Sequence, residues 1–192
     1  WVERMQTGTR HGMRGGDPIL GVVVPVFNEA EVLPEFHRRL TDVLRGCVDS
    51  FEVLYVNDGS SDGSLAWLEA LCARDPDVAM VDLSRNFGKE IALAAGLDHV
   101  RGDAVIVIDA DLQDPPELIP RLLEQWRAGY DNVYAHRRRR DGETWLKKAS
   151  AAWFYRVIGK LSRVRIPQDT GDFRLLSRRA VEALRQLREQ HR

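Results

Sequence analysis

Cysteine is nearly absent: Cys47 and Cys72 are the only two in 192 residues. Two isolated cysteines exclude a disulfide framework and a thiolate zinc site, and both fall in apolar helical patterns. Reduced core thiols are expected, as in a protein facing the cytosol. Long apolar runs are lacking too. The longest, at residues 19–27 and 104–108, are strand-sized, well short of the roughly 18–20 residues that cross a bilayer as a helix. Repeats and low-complexity tracts are missing, which excludes solenoids and fibrous or disordered classes. No aromatic-interleaved binding module or recognition helix is visible, so nucleic acid is not an expected partner.

What remains is a chain that is 44% hydrophobic and long enough for one sizeable core. The leader WVERMQTGTRHGMRGGDP has no apolar signal core and is rich in glycine and charge, so residues 1–17 read as mobile and 18–192 as one domain. The formal charge of −1 hides an uneven distribution: residues 137–165 hold ten basic residues against two acidic ones, a local excess of eight that leaves nine negative for the rest. Such polarity points to an anionic partner on one side, against the plainer reading of solvated helix faces.

From Pro18 onward, β-branched runs alternate with helical patterns. ILGVVVPVF, FEVLYVN, VAMVDLS and AVIVIDA read as strands, with a further one near NVYAH. Val32, Leu33, Phe36, Leu40, Val43 and Leu44 recur at helical spacing; helices are also expected through Trp67–Leu71, over 89–100 and 116–128, and through Trp145, Trp153 and Ile158. The Ser and Asp residues of DGSSDGS offer an N-cap to the second of these. This alternation predicts an α/β fold, a mostly parallel sheet with helices on both faces. In such sheets ligands bind beyond the carboxyl ends of the strands. VPVFNE, VNDGSSDGS, LSRNFGK and DADLQD all fall there.

Within DADLQD, residues i and i+2 of an extended segment point the same way, so Asp109 and Asp111 are expected to project together, with Gln113 next in line. Like charges that close call for a cation; Mg2+ or Mn2+ takes oxygen ligands and shares its shell with substrate phosphates. Asp58 is suited to accept hydrogen bonds from a base or ribose, and Asn28 and Glu29 to cap the neighbouring loop. Taken one at a time, these loops equally fit an ordinary turn and a helix cap.

Together VVVPVFNEAEVL, VNDGSSDGS, LSRNFGKEIALAAGLDHVRGD, VIDADLQDPPELIP and DTGDFRLLSRRAVEAL resemble family 2 glycosyltransferases with the GT-A fold, in the polyprenyl-phosphate branch that includes bactoprenol glucosyltransferases and dolichyl-phosphate mannose synthases. The likeness to the bactoprenol enzymes is carried by YAHRRRRDGETWLKKASAAWFYRVIGKLS and IPQDTGDFRL. It implies a Rossmann-like single domain in which Pro25, Phe27, Glu29, Val56 and Asp58 hold the nucleotide. Asp109, Ala110, Asp111 and Gln113 would surround metal and diphosphate, Arg137 would contact phosphate, and Asp172 would lie beside the acceptor as a catalytic base or orienting group. Asn57 departs from the pattern, since many relatives carry a second Asp there.

The resemblance further implies inverting transfer of a hexose from a nucleotide sugar, UDP-glucose first and GDP-mannose behind it, to a polyprenyl phosphate at the cytoplasmic face of the membrane. The basic window would meet the acceptor phosphate and anionic lipid, with some of Trp145, Trp153, Phe154 and Tyr155 as interfacial anchors. Relatives continue into transmembrane helices, so a catalytic domain truncated before its anchor is expected. Competing readings are a family 2 enzyme with a saccharide acceptor, a non-catalytic nucleotide-sugar sensor, and a receiver-like signalling domain. The sequence leaves the oligomeric state open.

Overall fold

Four apolar segments line up as the parallel centre of a sheet. They are β2 (Leu20–Val26), β3 (Phe51–Asn57), β4 (Val78–Leu83) and β5 (Ala104–Val107), side by side in the order β4-β3-β2-β5. The computed structural model describes residues 3–7, 19–136 and 170–188. Contacts divide the chain into two compact units, Trp1–Tyr134 with Asp172–Arg192, and Ala135–Gly171; the parallel centre of the sheet and the helices that cover it belong to the first. The basic window from Arg137 and the helix expected through Trp145–Ile158 lie outside the described residues.

β3 is buried at every position, and β2 at all but Pro25, as strands covered on both faces must be. On one face α3 (Lys89–His99) packs on β2, β3 and β4, joined there by Val181 of the last helix, α5 (Arg178–Arg188). Gly96 permits the close approach of α3, because a Cβ there would sit 2.4 Å from Val23 Cγ1 and 3.0 Å from Val56 Cγ2. The opposite face carries α1 (Leu33–Cys47) and α2 (Ser64–Arg74), where the buried Tyr55 hydroxyl meets His37 Nδ1 at 3.0 Å. α1 buries Leu33, Phe36, Leu40 and Leu44, the predicted stripe, and packs against α4 (Ile119–Arg127) and the 3₁₀ turn Pro116–Leu118. Arg39 of α1 grips Glu117 of that turn through two hydrogen bonds, 3.0 and 2.8 Å.

Two strands were not expected from the sequence. β1 (Glu3–Thr7) pairs antiparallel with β4, from Glu3 opposite Leu83 to Thr7 opposite Ala79. Within the segment read as a leader, Glu3–Thr7 thus takes the form of a strand. Its reason lies in β4, whose outer row of backbone donors and acceptors would otherwise be an open edge. β7 (Thr170–Ser177) runs antiparallel to β5, Val107 opposite Arg174 and Ala104 opposite Ser177, with β6 (Asn132–His136) outside it. Phe173 and Leu175 alternate into the core around Arg174. Because β7 is antiparallel, its Asp172 end lies where β5 leads into Asp109. Among the described residues, no helix is long and apolar enough to cross a membrane.

Candidate active site

The loops after β2, β3, β4 and β5 enclose a cavity of about 330 Å³ at the carboxyl ends of the parallel strands. Of the residues expected there, Pro25, Phe27, Glu29, Asp58, Asp109, Ala110 and Asp111 line it. Val56 is not part of the lining: it is fully buried in the apolar cluster beneath α3, two positions before Asp58. Gln113 is exposed and is not part of the lining; its backbone N–H donates to Asp111 Oδ1 at 2.9 Å. Asp172 belongs to β7, on the backbone at the same end of the sheet. Arg137 lies outside the described residues.

Asp109 and Asp111 both line the cavity, although not by the local geometry expected. β5 ends at Val107 and the chain turns through residues 110–111 to Leu112, whose φ of 60° is left-handed. A tight turn rather than a continued strand thus places Asp109 and Asp111 at the cavity.

The loops are bonded to one another. Asp58, 3% exposed, accepts hydrogen bonds from the backbone N–H groups of Phe87 (2.7 Å) and Gly88 (2.9 Å), so its carboxylate pins the loop that leads into α3. Gly59, at φ 65°, lies against the same loop, and a Cβ there would fall 2.3 Å from the carbonyl carbon of Arg85. Asn57 donates from Nδ2 to Asp82 Oδ1 at 2.7 Å and accepts from the Ser60 N–H at 3.3 Å, tying β3 to β4.

On the other side, the loop after β2 is zipped to the start of α2. Asn28 N–H donates to Ser60 Oγ (3.0 Å), Glu29 N–H to Ser64 Oγ (3.0 Å) and Ala30 N–H to Asp62 Oδ2 (3.1 Å), while Asn28 Oδ1 accepts from Ser61 N–H at 2.8 Å. Asp62 Oδ1 accepts the N–H of Ser64, the first residue of α2, at 2.9 Å, so DGSSDGS does hold that helix start, one residue before the formal cap position. α1 begins after Val32, without a side-chain cap bond, and Asn28 spends its amide between loops, with φ 57°.

The cavity also holds Val26, Asn86, Gly88, Lys89 and Ala92, which were not singled out from the sequence. Lys89 is the telling omission. Its Nζ donates to Asp109 Oδ2 at 2.7 Å, across from the first turn of α3. A cation in the first turn of a helix opposes the helix dipole, and that misplacement was a signal available in LSRNFGK.

Negative charge is crowded here. The Glu29 carboxyl is pushed above its usual range, first by burial and then by Asp111, Asp62 and Asp109. A cation would relieve that repulsion, and paired carboxylates are the hard oxygen donors that Mg2+ or Mn2+ takes. Among the described residues no group of three or more His, Cys, Asp or Glu side chains forms a ready cage. A pair of carboxylates suits an ion that keeps water or other oxygen ligands in the rest of its shell.

Comparison with known proteins agrees with this layout. A protein of Synechocystis sp. described as an uncharacterized glycosyltransferase is 51% identical over 173 residues, 90% of this chain and 54% of its own length. The bactoprenol glucosyl transferase of Shigella phage SfX is 46% identical over 172 residues, 90% of this chain and 56% of its own. The chain thus spans about half the length of the curated relatives it matches.

Among solved structures, a mannosyltransferase of Pyrobaculum calidifontis in complex with GDP-Man and Mn2+ superposes with a TM-score of 0.63 at 25% identity, covering 88% of this chain and 47% of that one. Glucosyl-3-phosphoglycerate synthase of Mycobacterium tuberculosis, in complex with Mn2+, UDP-glucose and phosphoglyceric acid, shares the fold at a TM-score of 0.59, 21% identity and 84% and 57% coverage. The sheet with its helices is the GT-A arrangement of these enzymes. Residues 21–185 match the family described as Glycosyl transferase family 2. With most of its length inside that match, the chain belongs to glycosyl transferase family 2.

Proposed function

We propose that this chain carries the donor site of an inverting transferase that moves a hexose from a nucleoside diphosphate sugar to a polyprenyl phosphate at the cytoplasmic face of a membrane. The observation that carries the reading is the meeting of Asp109, Asp111 and Lys89 in one cavity with Glu29, Asp58 and Phe27. Phe27, 45% exposed, offers an apolar face to a base. Asp109 and Asp111 would hold Mg2+ or Mn2+, which would neutralise the charge that develops on the departing diphosphate. Asp58 holds the 85–88 loop in shape around the nucleotide, and Lys89 adds a positive charge beside it.

The relatives named bactoprenol glucosyl transferase support a lipid-linked phosphate as acceptor and glucose as the sugar. Such a phosphomonoester is largely ionised near neutral pH, its second pKa being about 6. Its oxygen can attack the sugar C1 directly, the C1–O bond to the diphosphate breaks, and the configuration inverts. Asp172 then orients the acceptor rather than removing a proton. Arg137 and the other basic residues between 137 and 165 are assigned to the acceptor phosphate and anionic lipid.

The test is a titration of UDP, GDP and their glucose and mannose derivatives into the chain, with Mn2+ and with chelator, following the unfolding temperature. Mn2+-dependent stabilisation by one nucleotide, lost in Asp109→Asn and Asp111→Asn, is expected. A folded protein indifferent to every nucleotide would overturn the reading. Product analysis with polyprenyl phosphate against oligosaccharide then decides the acceptor.

A further inference from the structure

We propose that Lys89 is a built-in counter-ion that makes a divalent cation and a nucleoside diphosphate bind this site as a pair rather than singly; the inference rests on the donor-site reading above. The Lys89 ammonium lies 2.7 Å from Asp109 Oδ2, where it partly neutralises a carboxylate assigned to the metal. The two side chains are 40% and 26% exposed, so the contact is accessible to solvent and open to exchange.

The root of Lys89 is fixed, because Gly88 just before it has its N–H held by Asp58 at 2.9 Å. The long stem, by contrast, is flexible and carries a compact charge that can be redirected. A cation arriving alone at Asp109 must compete with that ammonium and then endure its repulsion. A diphosphate arriving with the cation gives the displaced ammonium an anionic partner in the same cavity. A diphosphate arriving alone meets the carboxylates of Asp111, Asp109 and Glu29 and draws only part of the lysine's charge. Each ligand thus raises the affinity of the other, and by linkage the factor is the same in both directions.

The measurement is Mn2+ binding, read from the spin-resonance signal of the free ion, with and without UDP or GDP, whichever the wild-type chain accepts. It is made on wild type, Lys89→Met and Lys89→Arg. Met keeps the stem length and helix preference, so the fold is expected to be retained, and thermal unfolding checks this. In Lys89→Met, Mn2+ alone should bind roughly two- to fivefold tighter, the scale of a part-exposed ion pair. The factor by which nucleotide tightens Mn2+ should shrink, and Lys89→Arg should keep most of it. Unchanged or weaker Mn2+ binding in Lys89→Met, with the coupling intact, would overturn the inference while leaving the donor site standing. Wild type that binds no nucleotide in the presence of Mn2+ takes both readings down.

Discussion

Asp58 distinguishes a residue that touches the ligand from one that builds the place where the ligand sits. Its buried carboxylate receives the N–H groups of Phe87 and Gly88 at 2.7 and 2.9 Å. Asp58→Asn keeps the shape but offers one acceptor in place of two, and sets an N–H2 group against a backbone N–H. Hydrogen bonds to a charged group contribute about 1.5–3 kcal/mol each, and a stranded buried donor costs about 1–3 kcal/mol, so a net loss near 3 kcal/mol is expected. For a chain of this size that lowers the unfolding temperature by roughly 6–12 °C. The assay is thermal unfolding without nucleotide or metal, beside hydrogen exchange at the Phe87 and Gly88 amides, which should speed up in the variant. An unfolding temperature within about a degree of wild type, with those amides still protected and nucleotide binding lost, would refute the reasoning and make Asp58 a ligand contact only.

Three other outcomes are expected. Asn57→Asp should cost about 2–3 kcal/mol near neutral pH, because the new carboxylate would face Asp82, and should recover in acid as one of the two protonates; a pH-independent loss would contradict this. Gly96→Ala would ordinarily gain about 1 kcal/mol in a helix, but its Cβ would sit 2.4 Å from Val23 Cγ1, and overpacking of about 1–3 kcal/mol should win; a raised unfolding temperature would show that α3 moves freely on the sheet. Burial holds the His37 imidazole below its ordinary 6.5, against Asp75 at 3.7 Å, which pulls it up, and Arg74 and Arg45, which help hold it down. The unfolded chain then takes up a proton that the folded one refuses, so the stability present above pH 6.5 should fall as pH drops through that value. Urea titrations from pH 7.5 to 5 should show the slope, and His37→Gln should flatten it.

The centre of the sheet was legible because its cause is local. β2, β3, β4 and β5 are apolar runs, and being covered on both faces is what requires such runs. β1 escaped notice because its partner, not its own pattern, makes it a strand. β7 escaped because an antiparallel return breaks the strand-helix alternation used to find the rest, although Phe173 and Leu175 flank Arg174 at strand spacing. The carboxylates were read in the right place for the wrong local reason: a left-handed Leu112 turns a corner that no period-two argument contains. Val56 stands apart from the other expected residues, since the strand keeps its side chain in the core. Lys89 was within reach, since electrostatics disfavours a lysine at a helix start.

The bonds between loops alter what a mutational screen of this chain would report. Ser60, Ser64, Asp62 and Asn28 join segments more than thirty residues apart in sequence. None of the four lines the cavity. Replacing Ser64 would free the Glu29 amide, and replacing Asp62 the Ala30 amide, shifting Glu29 relative to the carboxylates across from it. A mutational scan scored on ligand binding would therefore rank these four beside Asp109 and Asp111 and enlarge the apparent site with residues that lie outside the cavity lining. Only a second scan, scored on folding without ligand, would separate the frame from the chemistry.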